Sequence, residues 1–279
     1  MDNFSNKVIV ITGGATGIGF GYAKAFGKEG AKVVISGRRE NRLQEAITAL
    51  HDNGMEAKAI LADASSLEDT EKLADFAWDS FGKVDVLINN AGMMVHHAPV
   101  LDMPLEDIHA IFNVNLFGVV IGSQVFGKRF VDQGTPAAIY NIGSENSLFH
   151  GTPFNGAYVA TKHGVLAFTH SLREELPDFI DVSLICPGFV VSELGPLENM
   201  QYGMPTDQFV SITMPQLKAN EFYVVSHAYN VVMLHQKQKA LAAAYATYAP
   251  RYEGDVRYDV RTNLSPVLQQ QVGQALREF

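Results

Sequence analysis

The segment Thr12-Gly-Gly-Ala-Thr-Gly-Ile-Gly19 constrains the fold of this chain more than any other. It follows Lys7-Val-Ile-Val-Ile11, a run of β-branched residues suited to a buried strand. It leads straight into helical spacing, with Ile18, Tyr22, Ala25 and Phe26 on one face. A strand that turns through glycines into a helix lets the backbone approach a ligand closely. It also presents the free N–H groups and the positive dipole end of the helix N-terminus, which together suit a pyrophosphate. The glycines fall at 13, 17 and 19, a G-x-x-x-G-x-G spacing and not the commoner G-x-G-x-x-G. The strand before and the helix after favour phosphate binding over a plain strand–helix joint.

The second apolar run, Lys32-Val-Val-Ile35, ends in Ser36-Gly-Arg-Arg39. In dinucleotide-binding folds this strand end faces the adenosine ribose, and a carboxylate there holds the 2′-hydroxyl of NAD. Gly37 stands at that place, followed by Arg38 and Arg39, whose guanidinium forks suit a 2′-phosphate. NADP(H) is therefore expected in preference to NAD(H). The other reading is two arginines on the solvated start of a helix at 40–51.

Further short apolar runs lie at Ala57–Leu61, Val84–Ile88, Ala138–Ile142, Val182–Ile185 and Phe222–Val225, with helical spacing near 40–51, 67–81, 105–132 and 156–176. This alternation calls for an α/β fold: a Rossmann-type, doubly wound parallel sheet of about seven strands with helices on both faces. The ligand crevice then lies at the carboxyl ends of the strands. At 279 residues and 47% hydrophobic content one large core suffices, so 1–279 reads as a single domain. The net charge of −9, with no basic cluster, excludes nucleic acid as a partner. No uninterrupted apolar run reaches the ~18 residues of a membrane span. The first residues, Met1 to Lys7, carry no apolar h-region, and one cysteine, Cys186, fits a reducing compartment, so a cytoplasmic protein is expected. No Cys, His and carboxylate spacing suggests a metal site.

Ala157-Tyr-Val-Ala-Thr-Lys162 places a phenol and an ammonium four residues apart, on one face of a helix. A free tyrosine titrates near pH ~10, and a neighbouring cation stabilises the phenolate and lowers that value. The pair is expected to move a proton to or from a substrate oxygen.

Taken together, several segments resemble the short-chain dehydrogenase/reductase family over residues 5–195. They are Thr12–Gly19, Asp63, Asn89-Asn-Ala-Gly92, Asn115 in Asn113-Val-Asn-Leu-Phe-Gly118, Ser144 in Asn141-Ile-Gly-Ser144, Tyr158-x-x-x-Lys162 and Pro187-Gly-Phe-Val-Val-Ser192. The resemblance implies an oxidoreductase interconverting a secondary alcohol and a ketone, with Asn115, Ser144, Tyr158 and Lys162 as the catalytic set. Tyr158 would be the general acid in reduction and the base in oxidation. Lys162 would lower its pKa and hold the nicotinamide ribose, and Ser144 would hydrogen-bond the substrate oxygen. Asn115 would anchor a water joining Lys162 to solvent. Ser144 stands one residue further from Tyr158 than in many members, which keeps Ser147 as the alternative. Implied cofactor contacts are Gly13, Thr16, Gly17, Ile18, Gly19, Arg38, Arg39, Asp63, Ala64, Asn90, Ala91, Gly92, Pro187, Gly188, Val190 and Ser192, besides Tyr158 and Lys162. Asp63 would meet the adenine edge, Asn90 the adenosine ribose, and Val190 and Ser192 the carboxamide. A homodimer or homotetramer through 105–132 and 156–176 is also implied.

The resemblance divides the chain into a cofactor-binding and catalytic core at 5–192, a substrate lid at 193–220 and a C-terminal extension at 228–279. Residues 189–217 include Met200, Tyr202, Met204, Phe209 and Met214 and no Lys or Arg. These side chains suit a bulky apolar or aromatic substrate, and equally suit packing of the lid on the body. His96, His150, Met200 and Tyr202 are the candidate substrate contacts. An NAD-dependent alcohol dehydrogenase and a ketoacyl-thioester reductase are alternative enzymes; a dinucleotide-binding redox sensor is the non-enzymatic one. The cation-free lid weighs against the thioester reductase, and the retained Tyr158–Lys162 pair against the sensor. In the extension, Val231, Leu234, Leu241 and Tyr245 form an apolar stripe ended by Pro250, expected to cover the cleft or join an interface.

Overall fold

The seven apolar runs become seven strands: β1 (Val8–Thr12), β2 (Lys32–Gly37), β3 (Ala57–Leu61), β4 (Val86–Asn89), β5 (Ala137–Ile142), β6 (Ile180–Cys186) and β7 (Tyr223–Val225). All pair in parallel, in the order β3-β2-β1-β4-β5-β6-β7. In this computed structural model, residues 3–151, 153–195 and 197–258 are described. The helices are α1 (Gly17–Lys28), α2 (Glu40–Asp52), α3 (Leu67–Phe81), α4 (Leu105–Phe112), α5 (Gly118–Gln133), α6 (Gly156–Glu175), α7 (Leu197–Met200), α8 (Thr206–Lys218) and α9 (Asn230–Tyr248).

Alternation along β1 explains the layers. Ile9 and Ile11 join one core with Tyr22, Phe26, Val33 and Ile35, while Val8 and Val10 join a second with Leu73, Leu87, Phe126 and Phe130. A sheet buried on both faces needs helices on both, and its residues read as continuous apolar runs. The order of strands reverses between β1 and β4, so a crevice opens where their carboxyl ends diverge.

The single helix expected at 105–132 is two helices joined by a π turn at Asn113–Phe117. A π turn adds one residue without ending the helix, which periodicity cannot reveal. An 18-residue window of the stretch Leu105–Gln133 has a mean hydropathy of 1.5, so it is long and apolar enough to cross a membrane by length and composition, although no uninterrupted run marks it. Here it is a core helix: Val119, Ser123, Phe126 and Phe130 are buried in the fold.

The lid residues split. Phe209 and Met214, on α8, belong to the first core, with Phe209 edge-on to Tyr22 at 6.1 Å and Thr213 Oγ1 bonded to the Tyr22 hydroxyl at 2.7 Å. For these two, packing on the body is the correct reading. The residues form two compact units, Met1–Asn230 and Val231–Phe279. In the second, Val231, Leu241 and Tyr245 of α9 are exposed, because apolar residues recur around the whole helix and not along one stripe.

Candidate active site

Thr12 closes β1, and Asn90 follows β4. The Asn90 and Ala91 N–H groups donate to Thr12 Oγ1 at 3.0 and 3.1 Å, and Asn90 Nδ2 donates to the carbonyls of Thr12 and Gly13 at 2.9 and 3.0 Å. This amide fastens the glycine turn, so Asn90 acts on the turn itself and its amide donors are not left for a ribose. Gly17 has φ +54°, the left-handed region open to glycine, and a Cβ there would lie 3.1 Å from Ser192 Cβ. At Gly19 a Cβ would collide with Asn90 Nδ2. Gly19→Ala is therefore expected to destabilise the fold by about 1–3 kcal/mol, read from the urea midpoint. An unchanged midpoint would mean that Asn90 gives way freely. No side chain caps the first turn of α1, which leaves the Thr16–Gly17–Ile18 end of the helix its donors for an anion.

Arg38 and Arg39 follow β2 and both are exposed. Arg38 pairs with Asp63 at 3.6 Å, and Arg39 with Glu193 at 2.8 Å. Asp63 Oδ1 accepts from the Ser65 N–H and hydroxyl at 2.9 and 2.7 Å. Burial alone would raise the Asp63 pKa, but the Ser65 bonds and Arg38 outweigh it and hold the carboxyl below its usual value. The carbonyl of neighbouring Ala64 lies 3.3 Å from where a Gly118 Cβ would stand, at the start of α5.

The proton-handling residues converge at the ends of β5 and α6. Ser144 and Lys162 are buried, and Tyr158 is half-buried. The Ser144 side chain lies against the Tyr158 phenol and favours its ionised form. Ser144 Oγ also accepts from the Asn146 N–H at 3.1 Å, while Ser147 Oγ accepts from the Ser144 N–H at 3.1 Å. Ser144, not Ser147, is thus the partner of the tyrosine. Lys162 Nζ donates to the Ile142 carbonyl at 2.8 Å and lies 5.7 Å from the Tyr158 ring centroid.

This arrangement corrects the expected direction of the tyrosine's pKa. Burial raises it, the Ser144 side chain lowers it less, and the Glu145 charge adds to the rise. Lys162 does not reverse that rise, and its own pKa falls to about 8 because its ammonium is buried. Burial likewise pushes the Cys186 thiol up to about 12, opposed by Lys162.

Asn115 sits in the π turn and is buried; its Oδ1 accepts from the Met93 N–H at 2.8 Å and its Nδ2 donates to the Met93 carbonyl at 3.0 Å. The side chain clamps the loop after Gly92 through both of its polar atoms. Beneath the site, Asn89 Nδ2 bonds Asn141 Oδ1 at 2.8 Å and Ser123 Oγ at 3.0 Å, and Asn141 bonds Thr169 at 3.0 Å, joining β4, β5, α5 and α6.

After β6, the Pro187 carbonyl accepts from the Glu145 N–H at 2.7 Å, and the Gly188 N–H donates to His227 Nδ1 at 3.2 Å. Val190 is buried and bridges Met204. Of the candidate substrate contacts, His96 and His150 are exposed on loops and Tyr202 is 79% exposed. Met200 is a correction: it is buried, with its sulfur 3.1 Å from where a Gly195 Cβ would stand, and so packs within the lid. Sequence reasoning missed Glu145, whose Oε2 accepts from the Tyr229 hydroxyl at 3.0 Å. Its place directly after Ser144 was the available signal. Phe154, exposed at φ +64°, was also missed; left-handed backbone at a bulky residue leaves no sequence mark.

The profile of the short chain dehydrogenase family matches residues 7–202. The chain is 34% identical over 194 residues to a diacetyl reductase [(S)-acetoin forming] from Staphylococcus epidermidis, covering 68% of this chain and 73% of that one. It is 31% identical over 234 residues to 1-deoxy-11-beta-hydroxypentalenate dehydrogenase from Streptomyces exfoliatus, covering 81% and 85%. A short chain dehydrogenase/reductase from Burkholderia phymatum, solved in complex with NAD, superposes with a TM-score of 0.83 at 26% identity, over 90% of this chain and all of that one.

Proposed function

The chain belongs to the short-chain dehydrogenase/reductase family, and on that footing we propose that it interconverts a secondary alcohol and a ketone with NADP(H) in preference to NAD(H), Tyr158 transferring the proton. Membership makes it an NAD(P)-dependent oxidoreductase. The observation that carries the finer reading is the Ser144 side chain set against the Tyr158 phenol, with the Lys162 ammonium held by the Ile142 carbonyl. The uncapped start of α1 and the Gly17 turn fit a dinucleotide pyrophosphate.

A bound dinucleotide supplies or accepts the hydride. The protein's own groups manage the oxygen. Negative charge develops on a ketone oxygen during reduction, and Ser144 and Tyr158 are the hydroxyls placed to stabilise it. Because its pKa is raised, Tyr158 holds its proton at neutral pH, the form that reduction requires. Lys162 keeps a positive charge next to it below about pH 8. Asn115, through Met93, positions the loop that follows the Asn-Ala-Gly turn.

The NADP preference rests on Gly37 in place of an acid and on Arg38 and Arg39 beside it. An apolar or aromatic substrate is supported by exposed Phe154, Phe189 and Tyr202. Association of subunits through 105–132 and 156–176 is supported by exposed Leu105 on α4 and exposed Phe117 in the π turn before α5. Comparing kcat/KM for NADPH and NADH across aromatic and aliphatic ketones tests the function. NADPH is expected to be the better substrate; a clear NADH preference would overturn the cofactor assignment. Tight nucleotide binding with no turnover of any carbonyl would favour a redox sensor.

A further inference from the structure

The nucleotide end of the crevice holds a contact that the proposed chemistry does not use. Glu193, next after Ser192, spreads its carboxylate over two guanidinium groups: Oε2 accepts from Arg39 Nη1 at 2.8 Å, and Oε1 lies 3.0 Å from Arg42 Nη2. Arg39 Nη2 also reaches Thr16 Oγ1 in the glycine turn at 3.4 Å. Ser192 itself packs against Gly17. The first residues of the lid are therefore clasped to the rim of the phosphate site through Arg39 and Arg42. A carboxylate bridging two guanidinium forks occupies the donors that a phosphate would use.

We propose that Glu193 is an internal occupant of the 2′-phosphate subsite, holding Arg39 and Arg42 until the 2′-phosphate of NADP(H) displaces it. This rests on the dinucleotide reading above and goes beyond it, because it makes a lid residue, and not only the end of β2, the determinant of nucleotide choice. NAD(H) leaves the clasp closed. NADP(H) has to exchange one anion for another, and a displaced Glu193 carboxylate stays close enough to repel the phosphate. Glu193 thus narrows a preference that Arg39 and Arg42 would otherwise make large.

The test is direct titration of NADPH and NADH binding, by nucleotide fluorescence, to the wild-type chain and to Glu193→Gln and Arg42→Ala. Glu193→Gln is expected to tighten NADPH roughly three- to ten-fold and to change NADH less than about two-fold, the scale of exposed ion pairs. The difference should shrink as salt is raised. Arg42→Ala is expected to weaken NADPH selectively. If Glu193→Gln shifts both nucleotides equally, or leaves NADPH unchanged, the subsite assignment is wrong although the dinucleotide reading stands. A wild-type chain that binds neither nucleotide would overturn both.

Discussion

Tyr158→Phe is expected to lower kcat for ketone reduction by roughly 10²–10⁴, the range for loss of a general acid. The dissociation constant for NADPH should stay within about two-fold, because only a hydroxyl is removed and the ring remains. Magnitude separates two roles for that hydroxyl. If it merely helped hold the substrate through one hydrogen bond, its loss would amount to about 1 kcal/mol, or roughly five-fold. A fall of two decades or more requires that it transfer the proton. Single-turnover kinetics with direct nucleotide titration read the two quantities separately. A variant keeping more than a tenth of wild-type turnover would contradict the role given to Tyr158.

Lys162→Met is expected to abolish measurable turnover and yet leave the protein at least as stable at neutral pH. The folded lysine has a pKa of about 8 against an ordinary 10.5. Since the folded value is depressed, the unfolded chain binds the extra proton, and burying the ammonium opposes folding most below about pH 8. That penalty is relieved as pH rises from 8 toward 10.5, so this group makes wild-type stability climb through the window. The gap corresponds to roughly 3 kcal/mol. Removing the ammonium also leaves the Ile142 carbonyl without the bond it accepts at 2.8 Å, a loss of about 1–3 kcal/mol. The net change at pH 7 is expected between zero and about 2 kcal/mol of added stability, and the variant should lack the climb above pH 8. Urea midpoints at several pH values check this. A variant destabilised across the whole range would make Lys162 a structural residue first.

Much of this architecture was legible in the chain. Val- and Ile-rich runs such as Lys32-Val-Val-Ile35 read as strands because both faces of a parallel sheet are buried. Tyr158 and Lys162 could be placed on one helix face by spacing alone. What escaped was set by contacts across long separations in sequence. The Asn90 side chain turns back to the glycine turn, and Glu193 reaches Arg39 and Arg42. Neither has a local signature. The π turn around Asn115 is one added residue in an otherwise helical pattern, and the Met93 bonds that accompany it come from a distant loop. The direction of the tyrosine's pKa was misjudged for a related reason: four-residue spacing brings Lys162 near the ring, but burial and Glu145 act on the hydroxyl, and only coordinates weigh them.

The most direct test of proton delivery by this site is the pH dependence of kcat/KM for ketone reduction with NADPH. A plateau from about pH 6 to 8, followed by a fall toward ten-fold per pH unit as Lys162 and then Tyr158 lose their protons, is the expected result. A rate unchanged from about pH 6 to 10 would contradict it, because the Lys162 charge, lost near pH 8, would then play no part in proton delivery.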